Sequence, residues 1–324
     1  MNADTVLYLS RKDVENAGLS MPRIIDALEQ MFREKGEGRV EMPPKPGIHT
    51  RKDAFIHAMP AYIPGLGAAG MKWVSGYPAN PEKNLPYISG LLILNDPDTG
   101  IPTAIMDATW ITAKRTGAAT ALAAKYLARN DSASIGILAC GVQGRSNLEA
   151  LSCVFSIKKV MAYDISIETA RKFAAEMAAT VQTEIEVVTT AREAVSHADI
   201  VVTSGPILKN PEPVIEAGWL AEGAFACPLD FDSYWKKDAL EQADKLVTDD
   251  ITQMAYYRQA SYFKDTPKPY VGLEAIVSGK KAGRTHGGER IICINLGLAA
   301  EDMATAIMLY KKAVEKGLGT QLPL

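Results

Sequence analysis

The stretch Ser134-Ile-Gly-Ile-Leu-Ala-Cys-Gly-Val-Gln-Gly-Arg145 constrains the fold of this chain more than any other. An apolar run at Ile135, Ile137 and Leu138 enters a turn carrying Gly141 and Gly144, and helix-compatible sequence follows from 147 to 154. A strand, a tight turn and a helix start in that order aim backbone N–H groups and the positive end of a helix dipole at one point, which suits a pyrophosphate. As a dinucleotide fingerprint the segment reads Ala139-x-Gly141-x-x-Gly144, with the first of three glycines missing. Its context supplies what the motif lacks. Residues 159–164 read as a second strand ending in Asp164, whose carboxylate can accept both ribose hydroxyls of an adenosine and repel a 2′-phosphate, so NAD is favoured over NADP. Arg171, seven residues later, works against that preference. An ordinary strand-to-helix turn, with Asp164 capping a helix over 166–177, competes with this reading; the order of strand, glycines, helix and acid favours the nucleotide. The cofactor candidates here are Ala139, Gly141, Val142, Gln143, Gly144 and Asp164. An alanine at positive φ would be strained by roughly 1 kcal/mol. Ala139 is therefore expected at ordinary β-type φ, with Gly141 making the close approach to phosphate.

Beyond this turn, strands at 184–188, 199–203, 224–227, 245–248 and 291–294 alternate with helices, notably 191–196. That rhythm predicts a parallel, doubly wound α/β sheet of Rossmann type. Ligands of such sheets bind at the carboxyl ends of the strands, which adds Thr203, Ser204, Asn295 and Gly297 to the cofactor candidates. Upstream the pattern differs. A strand at 5–10 is followed by a helix N-cap at Ser10 and by a second, clearer helix over 20–32, then short β runs between 39 and 94 are broken by Pro/Gly clusters at 42–47 and 77–81. A strand at 102–107, a helix over 111–128 and the breaker Arg129-Asn-Asp131 close this part. Two domains follow: residues 1–129 with 299–324 as an α+β domain, onto which the amphipathic helix 299–317 packs back, and residues 130–298 as the dinucleotide-binding domain.

A length of 324 residues accommodates both. The net charge of −3, with no basic block, leaves no general attraction to nucleic acid or an anionic membrane surface. No apolar run reaches membrane-spanning length, and the start lacks a basic region followed by an apolar one. Cys140, Cys153, Cys227 and Cys293 are scattered, which disfavours a disulfide framework or structural zinc and points to the cytoplasm. His49, His57, His197 and His286 show no metal-ligand spacing and read as structural.

Two cations sit where neither favours stability. Lys72 lies inside the apolar strand Gly70-Met-Lys-Trp-Val-Ser75, and Arg115 adds positive charge near the already positive start of a helix. A bound carboxylate would relieve both; a solvated strand face and an exposed helix turn are the alternatives. Asp230 and Asp232, in Pro228-Leu-Asp-Phe-Asp-Ser-Tyr-Trp235, follow a predicted strand and offer a base, or cap the next helix.

The blocks Met59-Pro-Ala-Tyr62, Lys72, Asp96-Pro-Asp-Thr-Gly-Ile-Pro-Thr-Ala-Ile-Met-Asp107, Ile111-Thr-Ala-Lys-Arg-Thr-Gly-Ala118, Gly141-Val-Gln143, Gly279-Lys-Lys-Ala-Gly-Arg284 and Leu296-Gly-Leu-Ala-Ala-Glu-Asp302 together resemble the ornithine cyclodeaminase and mu-crystallin family over nearly the whole chain. The resemblance implies a homodimer with a Rossmann domain, a separate substrate-binding and dimerisation domain formed by residues 1–129 with 299–324, and nicotinamide chemistry on small α-amino or imino acids, with the substrate carboxylate held by Lys45, Lys72 and Arg115. Lys45 stands where the family carries arginine, so a point charge replaces a bidentate contact. The family's active-site aspartate setting, Gly-x-Asp-x-Pro-Gly-Lys, is replaced by Cys227-Pro-Leu-Asp-Phe-Asp-Ser-Tyr, with Asp230 the nearer candidate and Asp232 the second. In this reading Arg115 and Lys45 clamp the carboxylate, Lys72 is the polar partner whose pKa neighbouring cations lower, Asp230 acts on the amine and Asp232 lines the substrate site. Conversion of L-ornithine to L-proline and ammonia is the reaction expected, with alanine dehydrogenase or cyclic ketimine reductase activity as the alternative. A mu-crystallin-like nucleotide or small-ligand carrier is the alternative of another class.

Overall fold

Alternating burial along the N-terminal strands, and near-complete burial along those that follow the glycine turn, separate two kinds of sheet in the computed structural model, which describes residues 4–324. The elements of the first part are β1 (Thr5–Leu9), α1 (Arg11–Ala17), α2 (Met21–Gly36), β2 (Gly47–Ile48), β3 (Phe55–Ile63), β4 (Ala68–Gly76), β5 (Ile88–Asn95), β6 (Pro102–Asp107) and α3 (Thr109–Leu127). Then come β7 (Ser134–Leu138), α4 (Val142–Ser152), β8 (Lys159–Tyr163), α5 (Ile167–Val181), β9 (Ile185–Val187), α6 (Ala191–Ser196), β10 (Ile200–Thr203), β11 (Phe225–Pro228), α7 (Lys237–Glu241), β12 (Lys245–Thr248), α8 (Ile251–Gln259), β13 (Val271–Gly272), α9 (Leu273–Val277) and β14 (Ile291–Ile294). The chain ends with α10 (Ala299–Glu315) and β15 (Thr320–Pro323). It divides into two units, with breaks at Arg115/Thr116 and Gly297/Leu298. The first break falls inside α3 rather than at the breaker after it.

In the first unit the strand order is β15-β1-β6-β5-β4-β3-β2, parallel only between β1 and β6. One face of this sheet is buried, because β3 turns Met59, Ala61 and Ile63 the same way that β4 turns Lys72 and Val74 and β5 turns Leu92 and Leu94. α10 packs on that face at β3 and β4 and against α2, whose Ile24, Leu28, Met31 and Phe32 are buried at helical spacing. Ser10 caps α1 in a reciprocal box with Asp13. The other face keeps Tyr8, Trp73 and Leu91 exposed.

The second unit is an all-parallel sheet in the order β13-β12-β14-β11-β10-β7-β8-β9, the Rossmann-type arrangement. From β7 the chain winds outward through β8 and β9, then returns to the other side of β7 with β10. The switch point therefore lies between β7 and β10, at whose carboxyl ends stand the glycine turn and Thr203. Among the described residues no helix is long and apolar enough to cross a membrane.

Candidate active site

In the first unit, three elements bring four ionisable side chains into one buried cluster. Lys72 comes from β4 and is fully buried, with Nζ 2.7 Å from the Asp302 carboxylate and 3.2 Å from Thr112 Oγ1. Arg115 stands one turn beyond Thr112 on α3, donating to Asp302 at 2.9 Å and to Glu301 at 2.8 Å. Glu301 and Asp302 lie in the first turn of α10, where the positive helix end favours acids, and Glu301 also accepts the Leu298 N–H at 3.2 Å. The relief that the sequence reading assigned to a bound carboxylate is thus built into the fold. A fully buried cation is tolerable only with a bonded counterion, and here each cation has one.

The electrostatics are those of a crowded site. Burial, followed by the positive charge of Arg115, lowers the Lys72 pKa from 10.5 to about 7; Asp302 works in the other direction. Against its own desolvation, Arg115 is held protonated above its ordinary value by Asp302 and Glu301. Burial pushes Glu301 up. Lys45, itself buried, adds positive charge felt at both Lys72 and His57. Lys45, Lys72 and Arg115 therefore belong to one unit, with Lys45 near enough to Lys72 for its charge to be felt there.

In the second unit Ala139 has φ 72°, which overturns the expectation of β-type φ. The chain must reverse within one residue to lead β7 into α4, and Gly141, the N-cap, takes φ −80°. Two hydrogen bonds hold the strained residue: its N–H donates to Tyr163 O at 3.0 Å, and its carbonyl accepts from Ser204 Oγ at 3.0 Å. Gly144 permits the close approach of helix to strand, since a Cβ there would stand 2.7 Å from Ala139 O. A Cβ at Gly141 would meet nothing within 4 Å, so open space lies above the turn. Val142 is exposed beside it, and the Gln143 carbonyl accepts from Asn147 at 2.8 Å. α4 starts with no side-chain cap, and Asp164 at the end of β8 is oriented by the N–H groups of Cys140 at 2.8 Å and Ser166 at 3.0 Å.

Thr203 and Ser204 take supporting places. The Thr203 hydroxyl donates to Asp230 at 3.1 Å and accepts from Trp235 Nε1 at 3.1 Å, while Ser204 braces Ala139. Asp230 is fully buried, accepts the Gly205 N–H at 3.2 Å, and is pushed by burial from 3.8 to about 7. Asp232 points elsewhere, accepting from Thr266 at 3.0 Å, and is raised by burial. Phe231 at φ 62° separates the two acids and packs in tilted and edge-on contacts among Tyr257, Tyr262 and Phe263. After β14, the Asn295 N–H donates to Pro228 O, and Gly297 is engaged through its N–H by Asp249 and through its carbonyl by Gln253.

The family model for the ornithine cyclodeaminase/mu-crystallin family matches residues 5–317. The chain belongs to that family. Alanine dehydrogenase of Archaeoglobus fulgidus is 36% identical over 332 aligned positions, covering 98% of this chain and 98% of that protein. The structure of Thermococcus litoralis Δ1-pyrroline-2-carboxylate reductase in complex with NADH and L-proline superposes with a TM-score of 0.88 at 36% identity, over 97% of this chain and 99% of the other. An archaeal alanine dehydrogenase dimer with bound NAD gives 0.88 at 35% identity, over 98% and 99%.

Thr112, Glu301 and Asp302 escaped sequence reasoning as members of the cationic cluster. A signal for the acids exists: Ala299-Ala-Glu-Asp-Met-Ala304 sets two carboxylates among apolar residues on both sides at a helix start, which marks them as buried rather than solvated.

Proposed function

We propose that this protein is an NAD-dependent oxidoreductase of small L-α-amino acids and their imines, carrying out net dehydrogenation or imine reduction of the alanine dehydrogenase or pyrroline-2-carboxylate reductase kind. The observation that carries this reading is the buried cluster of Lys72 and Arg115, oriented by Glu301 and Asp302, with the charge of Lys45 felt at Lys72. Buried guanidinium and ammonium groups held in fixed orientations suit recognition of a substrate carboxylate. Arg115 is the pre-oriented fork, and Lys45 supplies a point charge. Lys72, poised near neutrality, can give or take a proton at the substrate carboxylate or nitrogen.

The second unit fits a dinucleotide. The open space at Gly141, the uncapped start of α4 and the backbone-oriented Asp164 suit pyrophosphate and ribose. The nicotinamide, when bound, accepts or supplies the hydride. Asp230, with a pKa near 7, is this unit's candidate for proton transfer, with Asp232 the weaker one. A carboxylate at position 164 selects NAD over NADP.

The exposed Tyr8, Trp73 and Leu91 on the outer face of the first sheet support a homodimer through that face, which sedimentation of Trp73→Glu tests. Its free cysteines suit the reducing cytoplasm, which cell fractionation tests.

One assay separates the reactions. Stoichiometric change in nicotinamide absorbance with L-alanine, with pyruvate plus ammonium, or with Δ1-pyrroline-2-carboxylate is the expected result. Proline and ammonia formed from L-ornithine with no net NADH would establish cyclodeamination instead. Binding of NAD with no turnover of any amino or imino acid would leave the carrier reading of mu-crystallin type and sink the enzyme.

A further inference from the structure

The loop after β11 closes on one hydroxyl. β10 and β11 pair Thr203 with Pro228, and the Leu229 N–H donates to the Thr203 carbonyl at 2.9 Å, so the loop departs from beside Thr203. Two tight turns fold it back, with the Ser233 N–H donating to Asp230 O at 3.1 Å and the Trp235 N–H to Asp232 O at 3.3 Å. Ile215 fixes the returning end: its N–H donates to Tyr234 O at 2.8 Å, and its carbonyl accepts the Lys236 N–H at 3.0 Å. Trp235, 2% exposed, is thereby brought back to the residue from which the loop started, with Nε1 3.1 Å from Thr203 Oγ1. Asp230 lies between the two ends, bonded to the same hydroxyl at 3.1 Å. Residues 203–205 tie this loop to the nucleotide turn. Thr203 and Gly205 donate to Asp230, while Ser204 between them donates to Ala139 O. Asp230 thus stands at the carboxyl edge of the sheet, beside the switch point where ligands of such sheets bind.

The network has a direction. An indole N–H only donates, and so does a backbone N–H. With the indole occupying one lone pair of the Thr203 oxygen, the hydroxyl proton is directed to Asp230. Asp230 therefore meets two donors, Thr203 at Oδ1 and Gly205 at Oδ2, in a place with no solvent exposure. Two donors satisfy a carboxylate; a carboxylic acid would bring a third proton to oxygens that already face donors. Burial and the like charge of Asp232 work the other way, and Tyr234 is the further titratable group that interacts with Asp230. We infer that Trp235 is a positioning residue for the reaction: through Thr203 it fixes the orientation of Asp230 and holds it as the carboxylate that takes a proton from the substrate amine. This assignment rests on the oxidoreductase reading above. In amino-acid oxidation the ammonium N–H bond breaks, the proton goes to Asp230, and the released lone pair stays on nitrogen to form the C=N bond. In imine reduction Asp230 returns the proton.

The test titrates Asp230 directly, by ¹³C NMR of protein labelled at its aspartate carboxyls, with the signal assigned through its loss in Asp230→Asn. The pH profile of kcat/KM for L-alanine oxidation with NAD is measured in parallel. Thr203→Val keeps the side-chain shape and removes the hydroxyl, so the Asp230 midpoint should rise by about 1–2 units. Trp235→Phe removes the indole N–H and frees the hydroxyl to turn away from the acid or to accept from it. The midpoint should then rise by roughly half a unit or more, and the kinetic limb should move with it. Thr203→Ser restores the hydroxyl and should return both midpoints to their wild-type positions. Should Trp235→Phe fail to fold, benzothienylalanine incorporated at position 235, which keeps the fused ring and has no N–H, takes its place. A folded protein lacking this N–H with an unmoved Asp230 midpoint overturns the inference and leaves the oxidoreductase reading intact. A midpoint that moves while the kinetic limb stays also overturns it, because Asp230 is then outside the chemistry. No turnover of L-alanine or of Δ1-pyrroline-2-carboxylate by wild type sinks the oxidoreductase reading, and the inference with it.

Discussion

Replacing Asp302 by asparagine removes the carboxylate shared by Lys72 and Arg115 while keeping the shape of the side chain. Both cations stay buried, Lys72 fully and Arg115 with 6% of its surface exposed, so neither recovers hydration when its partner is lost. Breaking such a pair from one side costs about 3–5 kcal/mol. At roughly 2–4 °C per kcal/mol for a chain of this size, the melting temperature should fall by on the order of 10 °C. Lys72→Met takes away the other partner and should behave differently. It removes a desolvated cation and leaves Asp302 bonded to Arg115, so a cost below about 1.5 kcal/mol is expected. The pH dependence carries its own sign. Because the Lys72 pKa is lowered from 10.5 in the unfolded chain to about 7 in the folded protein, the unfolded state binds more protons across that window. Stability from this group is fully present above 10.5 and is lost as pH falls toward 7. Below about 7 wild-type Lys72 is charged and leans on Asp302; near pH 9 it is neutral, and Asp302 has Arg115 alone to serve. The cost of Asp302→Asn should therefore shrink between pH 6 and pH 9. Thermal unfolding of the two variants at both pH values, followed by circular dichroism, reads all of this. Equal destabilisation by Lys72→Met and Asp302→Asn, or a cost of Asp302→Asn that grows with pH, would refute the reasoning.

Asp230→Asn should reduce kcat by roughly 10²- to 10⁴-fold and erase a limb of the rate profile near pH 7, where burial has moved this carboxyl; that limb rises with pH for amino-acid oxidation and falls for imine reduction, and a profile unchanged in shape would remove Asp230 from the chemistry. Ala139→Gly should raise stability by about 0.5–1 kcal/mol by releasing the strain of φ 72°, measured by urea unfolding, and a loss of stability would show that the turn is held by something other than backbone geometry. Asp164→Ala should weaken NAD by at least tenfold and narrow the gap to NADP in calorimetric titration; identical preference in both proteins would overturn the cofactor assignment.

Period and punctuation made the architecture legible. The β-to-α sequence around Gly141 and Gly144, the βαβ rhythm after it and the proline-bounded strands before it rest on local backbone preferences, and the structure places strands and helices close to where those preferences put them. The short elements β2, α7, α8, α9, β13 and β15 carry too few residues for a period to emerge. Lys72 and Arg115 stood out because each violated a local rule, a cation in an apolar strand and a cation at a positive helix end. What answered them did not. Asp302 lies 230 residues from Lys72, and on its own helix it obeys every rule an N-terminal acid obeys. Ala139 failed in the opposite way, since intrinsic preference argues for β-type φ and the turn between β7 and α4 overrides it with a hydrogen bond to the Tyr163 carbonyl and one from the Ser204 hydroxyl. The sequence by itself thus determined a nucleotide-type sheet, a second α+β unit and the two out-of-place cations Lys72 and Arg115, because those are written in patterns a few residues long. The tertiary structure alone decided which acids neutralise the cations and which of two neighbouring aspartates is buried at the end of the parallel sheet. Charge pairing between distant segments is a property of the packed chain, and no local pattern encodes it.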